Sequence, residues 1–444
     1  MNNHWIEQSV FYHIYPLGLT GAPRQNDFIS KPEERLNKLQ EWIPHIKGCG
    51  FNAVYLGPLF ESTTHGYDTA DYLNVDRRLG TNETLKNLVN EFHKNGIKVI
   101  LDGVFNHAGK NFFAFRDVIE KRESSGFVNW FSGLGFSGET EIVYDNWSGH
   151  NSLVKLNLEN EEVRQYLFEA VKFWIGFFDI DGLRLDVADC LDKNFQKELS
   201  HFCKNIKEDF WLMGEVIHGD YRKWANPGML DSVTNYECYK GLYSSHTDRN
   251  FFEIAYSLNR LFGENGIYEN LYLYNFADNH DVDRVIESLG NSKYLYTLYI
   301  LLFTIPGIPS VYYGSEFGIG GKRTDSDDKA LRPSLDLKQL LESQPHPDLL
   351  KLIKKLSSIK KESKALISGD YRQILVKHEQ FVFERKYGEE TVLVAVNSAE
   401  NAEEITVPFQ GRFKDELSGE IFESEDNYVK IKLWPNWGRI IKKI

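Results

Sequence analysis

The feature that most constrains this chain is an alternation. Short apolar runs recur at residues 10–15, 53–57, 98–104, 182–187, 211–216, 232–236, 273–276 and 310–313. Between them, stretches such as 32–46, 83–95, 161–178 and 251–262 carry apolar residues at helical spacing. A strand followed by a covering helix returns to a parallel neighbour. Eight such units predict an α/β fold with a closed (β/α)8 TIM barrel.

Two regions interrupt the alternation. Residues 108–157 are rich in Gly, Ser and aromatic side chains, among them Phe112, Phe113, Trp130, Phe131, Tyr144 and Trp147. The stretch is too long for a simple loop and is expected to form a small insert after the third strand. From residue 367 onward, runs such as Gln380-Phe381-Val382-Phe383-Glu384 alternate with period two, which predicts a C-terminal antiparallel β domain. The expected organisation is a barrel from 1–107 and 158–366, an insert at 108–157 and a β domain at 367–444. A length of 444 residues suits one large barrel plus a smaller module. The apolar stretch 294–305 stops at Pro306-Gly307, well short of the roughly 20 residues of a membrane span. It reads as a buried helix.

Charge narrows the partners. The formal net charge is −13, and no basic run is longer than a pair, such as Lys354-Lys355 and Lys360-Lys361. That balance repels phosphate polymers, so no nucleic-acid partner is expected, and it is indifferent to neutral sugars. Aromatic residues reach 14%, which suits sugar rings packing on aromatic faces and equally suits a large core. Cys49, Cys190, Cys203 and Cys238 have no metal or redox spacing and read as buried thiols in a reducing compartment. The stretch Met1-Asn2-Asn3-His4-Trp5-Ile6-Glu7 has neither a basic nor an apolar leader segment, so the expected location is the cytoplasm.

Four strand ends carry polar clusters. They are Leu101-Asp102-Gly103-Val104-Phe105-Asn106-His107, Gly182-Leu183-Arg184-Leu185-Asp186-Val187, Leu212-Met213-Gly214-Glu215-Val216 and Phe276-Ala277-Asp278-Asn279-His280-Asp281. A single Asp at a strand end is usually a helix cap. Four clusters at the same end of different strands point to a cavity at the C-terminal mouth of the barrel. Asp186, Glu215 and Asp281 are its candidate carboxylates, accompanied by Arg184, His107 and His280. Hydrolysis of a glycosidic bond with retention needs a carboxylate nucleophile and a carboxylic acid about 5 Å apart. Arg184 lies two residues from Asp186, on the same side of its strand, and is expected to hold that carboxylate ionised.

These clusters resemble the four conserved regions of the α-amylase superfamily of glycoside hydrolases, in order and at the right strands. The resemblance implies Asp186 as nucleophile, Glu215 as acid/base and Asp281 as transition-state stabiliser. It implies that His107, Arg184 and His280 line the −1 sugar subsite. His65-Gly66-Tyr67-Asp68 extends the match: Tyr67 would stack under the −1 sugar, and Asp68 would contact it together with Arg284. Lys155-Leu156-Asn157-Leu158-Glu159-Asn160, Asn129-Trp130-Phe131 and Tyr312-Tyr313-Gly314-Ser315-Glu316-Phe317-Gly318 are similar to the cyclomaltodextrinase, neopullulanase and maltogenic amylase group.

Three features depart from that group. Its N-terminal β domain has no counterpart before the first strand. Asp189-Cys190 stands where the group has Asn-Glu, and Ile217 where it has Trp. The expected activity is retaining hydrolysis of α-glucosidic bonds in maltodextrins and related α-glucans. A transglycosylating relative (a 4-α-glucanotransferase or a sucrose-acting enzyme) and a catalytically dead sugar-binding homologue stand as the alternatives. No cofactor is expected to be required. Calcium is left open, because Asn106 matches a calcium ligand of the superfamily while no acidic ligand set is evident in the insert. The expected partner is an α-glucan oligosaccharide; the sequence assigns no oligomeric state.

Overall fold

The computed structural model describes residues 4–138, 140–324 and 327–444; Met1–Asn3, within the stretch read for a leader, lie outside them. Eight parallel strands form the central sheet: β1 (Phe11–Ile14), β2 (Ala53–Leu56), β3 (Lys98–Gly103), β4 (Gly182–Leu185), β5 (Trp211–Gly214), β6 (Ser232–Val233), β7 (Tyr274–Phe276) and β8 (Ile308–Tyr312). Their order is β6-β5-β4-β3-β2-β1-β8-β7. A parallel bridge between Thr234 and Tyr274, and a 2.6 Å bond from Ser232 Oγ to the Tyr272 carbonyl, close the remaining seam. The chain is thus a (β/α)8 barrel.

Element ends differ from expectation where local chemistry intervenes. β6 stops at Val233, because the Asn235 side chain accepts from the Cys238 amide and caps a helix that begins at Tyr236. β8 starts earlier, at Ile308, and takes in Pro309. The first long helix covers Lys38–Gly48, preceded by a 3-10 turn at Arg35–Asn37, so residues 32–34 are not helical. The helix Glu161–Phe173 ends in a π turn at Trp174–Phe178.

Strand alternation decides what faces inward. Phe11, Ala53, Tyr55, Ile100, Trp211, Met213, Tyr274, Phe276 and Ile308 make one buried cluster that fills the barrel. Counting on by two from Ile100 reaches Asp102, and from Met213 reaches Glu215. The parity that packs the barrel floor therefore aims the polar strand ends at its mouth.

The insert contains a three-stranded sheet, from His107–Gly109, His150–Lys155 and Asn146–Trp147, and a hairpin of Gly135–Ser137 with Glu141–Val143. Most of its aromatics pack together; the Phe115 and Phe131 rings lie 5.1 Å apart. Trp147 does not join them and approaches His107 instead, with ring centroids 6.1 Å apart.

The C-terminal strands are β9 (Asp370–Val376), β10 (Gln380–Tyr387), β11 (Glu390–Asn397), β12 (Glu403–Val407), β13 (Arg412–Asp415), β14 (Ile421–Glu423), β15 (Val429–Leu433) and β16 (Trp437–Lys443). Six form one antiparallel sheet, and β12 pairs with β15. Val382, Leu393, Ala395 and Ile441 face the small core against β12 and β15. Phe381, Phe383, Val394, Val396 and Ile440, at alternate positions, belong to the barrel's own core instead. The helix Tyr294–Thr304 lies between barrel and sheet and is buried at every position except Tyr296. Burial on all sides explains its unbroken apolar sequence. No helix among the described residues is long and apolar enough to cross a membrane.

Candidate active site

The site is assembled around Arg184, which is 3% exposed. Its Nη1 donates to Asp102 Oδ1 at 2.9 Å and to Asp186 Oδ1 at 2.8 Å, and its Nη2 lies 2.8 Å from Glu215 Oε2. Expected as the partner of Asp186 alone, the guanidinium instead holds three carboxyl groups from three adjacent strands. The β4–β5 register pairs Leu185 with Gly214, so Asp186 and Glu215 leave neighbouring strands at the same level. Adjacent strands lie about 4.8 Å apart, close to the roughly 5 Å carboxyl separation of retaining hydrolysis.

The remaining bonds distinguish the two oxygens of each carboxyl. Glu215 Oε2 also accepts from the Val187 amide at 3.0 Å, which leaves Oε1 available. Asp186 Oδ1 is held by Arg184, while Oδ2 lies 3.9 Å from His107 Nε2. Burial pushes the carboxyl of Asp186 up; Arg184 opposes it, and Glu215 and Asp102 add repulsion. Burial also raises Glu215, again against Arg184 and with repulsion from Asp281. Asp186 and Glu215, buried around one cation, retain a proton between them more readily than isolated carboxylates would, so Arg184 does not by itself keep Asp186 ionised as the spacing suggests.

Asp281 is arranged differently. Its Oδ2 lies 2.9 Å from His280 Nε2 and its Oδ1 lies 3.0 Å from Arg332 Nη2. Burial works against its ionisation, but His280 and Arg332 outweigh it and hold the carboxyl below its usual range. The Tyr67 hydroxyl contacts His280 and donates to Asp102 at 3.0 Å, and the Tyr67 and His280 rings are stacked. Tyr55 donates to the same Asp102 oxygen at 2.7 Å. Burial pushes His107 down to about 3, so the ring is neutral. Asn106 Nδ2 lies 3.2 Å from its Nδ1; an amide N–H there leaves the ring proton on Nε2, facing Asp186.

Asp68 and Arg284 do not meet. Asp68 accepts from the amide and hydroxyl of Thr64, at 3.1 and 2.7 Å, and closes a turn. Arg284 is fully buried; it donates to the Tyr313 carbonyl at 2.7 Å and the Ser315 hydroxyl at 3.2 Å, with Tyr312 4.1 Å below its guanidinium. Arg284 is turned away from Asp68: it stands at the start of a helix and points back into the β8 loop, where Nη1 alone serves both oxygens and Nε and Nη2 are buried without a hydrogen-bond partner.

Arg332 was missed. It bonds Asp281, donates through Nε to the His280 carbonyl at 3.0 Å, pairs with Asp328 at 2.7 Å and lies over the Tyr15 ring. A signal existed: Asp328 and Arg332 stand four residues apart in the loop after the eighth strand. Trp147 is a second addition from the insert. Cys49, Cys203 and Cys238 are buried, whereas Cys190 is exposed on the turn Ala188–Cys190 that follows Asp186.

Among the described residues no group of three or more His, Cys, Asp and Glu side chains is placed to hold a metal ion. Asn106 is buried, its amide faces the His107 ring and its carbonyl accepts from the Leu156 amide. That set lacks carboxylates and does not fit a calcium site of six or more oxygens.

Comparison with known proteins agrees with this architecture. Residues 35–344 match the α-amylase catalytic domain, and residues 369–438 match an α-amylase C-terminal domain. The chain is 30% identical to a cyclomaltodextrinase of Geobacillus thermopakistaniensis, over 97% of this chain and 76% of that protein. It is 31% identical to neopullulanase 2 of Thermoactinomyces vulgaris, over 98% of this chain and 78% of the relative. Among solved structures, a cyclic α-maltosyl-(1→6)-maltose hydrolase of Arthrobacter globiformis superposes with a TM-score of 0.83 at 26% identity, covering 99% of both chains.

Proposed function

The chain belongs to the α-amylase family, and on that premise we propose that Asp186 and Glu215 divide its chemistry between them as nucleophile and acid/base. The protein is a retaining glycoside hydrolase that cleaves α-glucosidic bonds.

The observation that carries the assignment is the shared guanidinium of Arg184, bonded to both carboxyl groups. Asp186 Oδ2, the oxygen Arg184 does not hold, attacks the anomeric carbon of the −1 glucose. Glu215 Oε1, free of the Val187 amide and of Arg184, donates its proton to the departing glycosidic oxygen. Ester formation removes the negative charge of Asp186. Glu215, left as a carboxylate by that proton transfer, stays ionised beside the neutral ester, takes a proton from water, and the hydroxide releases an α-anomeric product. Asp281, held ionised by His280 and Arg332, stabilises positive charge on the sugar ring. His107 and His280 donate to sugar hydroxyls, and Tyr67 lies under the ring.

The substrates of this reading are maltodextrins and cyclodextrins rather than starch granules. Trp147 beside His107 supports it, because an insert ring at the −1 subsite narrows the cleft. The names of the relatives agree. The reading requires no cofactor and places the enzyme in the cytoplasm.

A slow 5-fluoro glucosyl fluoride tests the assignment. Mass spectrometry of the trapped enzyme should find the sugar esterified to Asp186; the label on Glu215 or Asp281 would overturn it.

A further inference from the structure

A groove of about 620 Å³ lies on the flank of the barrel, where the helices Tyr294–Thr304 and Pro347–Glu362 meet the C-terminal sheet. Tyr296, the only residue of its helix left unburied, forms one wall. Its ring lies 5.4 Å from that of Trp437, tilted by 41°. Leu352, Leu417 and Pro435 add apolar surface. Asn436, next to Trp437, is 8% exposed, has φ of +50°, and its Oδ1 is buried without a hydrogen-bond partner. A buried amide oxygen without a donor is destabilising unless a ligand or water supplies one.

The charges around these rings are mostly neutralised. Lys293 pairs with Glu400 at 2.9 Å and Lys351 with Asp348 at 3.2 Å. Lys355, which also lines the groove, is without an ion pair among the described residues and is the one cation open to an anion, whereas a neutral polyol can bridge to the outer edges of the pairs as well. A glucose unit offers what the groove lacks: flat C–H faces for the rings and hydroxyl donors for Asn436. One residue earlier on the same loop than Pro435, Trp434 is 49% exposed, beneath Lys432.

Position supports the ligand. Both helices follow βα-loops, so they start at the end of the barrel where the strands finish and run back. The lining residues Lys293, Tyr296, Asp348, Lys351 and Leu352 belong to their N-terminal halves. The groove is therefore on the side of the molecule that carries the catalytic mouth, yet shares no residue with it.

We propose that this groove is a second α-glucan site, which holds a stretch of maltodextrin outside the catalytic cleft. The proposal rests on the α-glucan specificity proposed above. Its test is calorimetric titration of maltoheptaose into the Asp186→Asn protein, in which the probe survives. Two binding events per chain are expected. In that background, Tyr296→Leu and, separately, Asn436→Gly should weaken only one event, by roughly tenfold, as expected for loss of a stacking face or a buried acceptor. Glycine accepts the left-handed backbone at 436, so this variant tests the amide with the loop intact.

In the otherwise unsubstituted enzyme, both changes should leave kcat/KM on maltotriose within about twofold while lowering it on long α-glucans. A single binding event, or two events indifferent to both substitutions, would overturn the second site. So would a change of oligomeric state in the variants, measured by sedimentation, since the groove would then be an interface between copies of the chain. Failure of the α-glucan reading is recognised separately: the unsubstituted enzyme would not cleave maltotriose at all.

Discussion

Arg332 and Asp281 are joined across two strand ends: Nη2 of the arginine lies 3.0 Å from Oδ1 of the aspartate, and its Nε donates to the His280 carbonyl next door. The loop after β8 thereby positions a carboxylate that follows β7. Arg332→Lys keeps a charge but loses the two-pronged contact. We expect kcat/KM on maltotriose to fall by roughly a hundredfold, the scale of losing a positioned charge contact. The sign of the pH effect follows from Asp281, whose carboxyl the arginine helps to hold low. Weakening the pair lets that carboxyl rise, so the acidic limb of the kcat/KM profile should move to higher pH. An unmoved limb would separate Arg332 from Asp281. Arg284→Met is the control: it should cost roughly 2–3 kcal/mol of stability through lost buried bonds, with a smaller effect on turnover of the folded protein.

The roles assigned to Glu215 and Asp186 differ in their response to the leaving group. Glu215→Gln should reduce maltotriose turnover by roughly a thousandfold, while formation of the glycosyl-enzyme from α-glucosyl fluoride slows far less, because fluoride departs without a proton. Asp186→Asn should slow both substrates alike. Pre-steady-state kinetics on the two substrates distinguish these outcomes, and equal losses for Glu215→Gln would refute its role as acid.

Acid stability should report on His246. Its ring bonds the Leu242 carbonyl and Thr297 hydroxyl, at 2.6 and 2.9 Å, and burial pushes it down to about 4. The unfolded chain binds a proton near pH 6.5, so stability is complete above that value and falls as pH drops towards 4. The loss from this one group amounts to about 3 kcal/mol over the window. Denaturant titrations of His246→Gln at pH 7 and pH 4.5 should show a correspondingly shallower dependence; an unchanged slope would mean that the ring titrates normally.

The C-terminal sheet should not melt by itself. Phe383 is fully buried on the sheet face that joins the barrel core. Arg385, two residues on, donates to the carbonyls of Thr304 and Gly369, at 2.7 and 2.8 Å. Phe383→Ala should cost about 3–5 kcal/mol and lower a single calorimetric transition. Two resolved transitions would show that sheet and barrel unfold independently.

The sequence by itself determined the barrel, the C-terminal strands and which polar strand ends meet at the barrel mouth, because each is a local pattern. Period-two runs between helical stretches specify strands, and strand parity carries Asp102, Arg184 and Glu215 to the mouth along with the residues that fill the floor. Partner choice was not local. Arg184 could be paired with Asp186 from their spacing, but that it also grips Glu215 and Asp102 follows only from the register of β3, β4 and β5. Arg284 and Arg332 look alike as isolated arginines near strand ends; packing turns the first into the β8 loop and the second towards Asp281. Likewise, the alternation of Phe381, Val382 and Phe383 announces a strand, but not that both faces are buried against different cores. Side-chain direction at a loop, and the identity of the surface opposite, depend on chain segments hundreds of residues away, and these the tertiary structure alone decided.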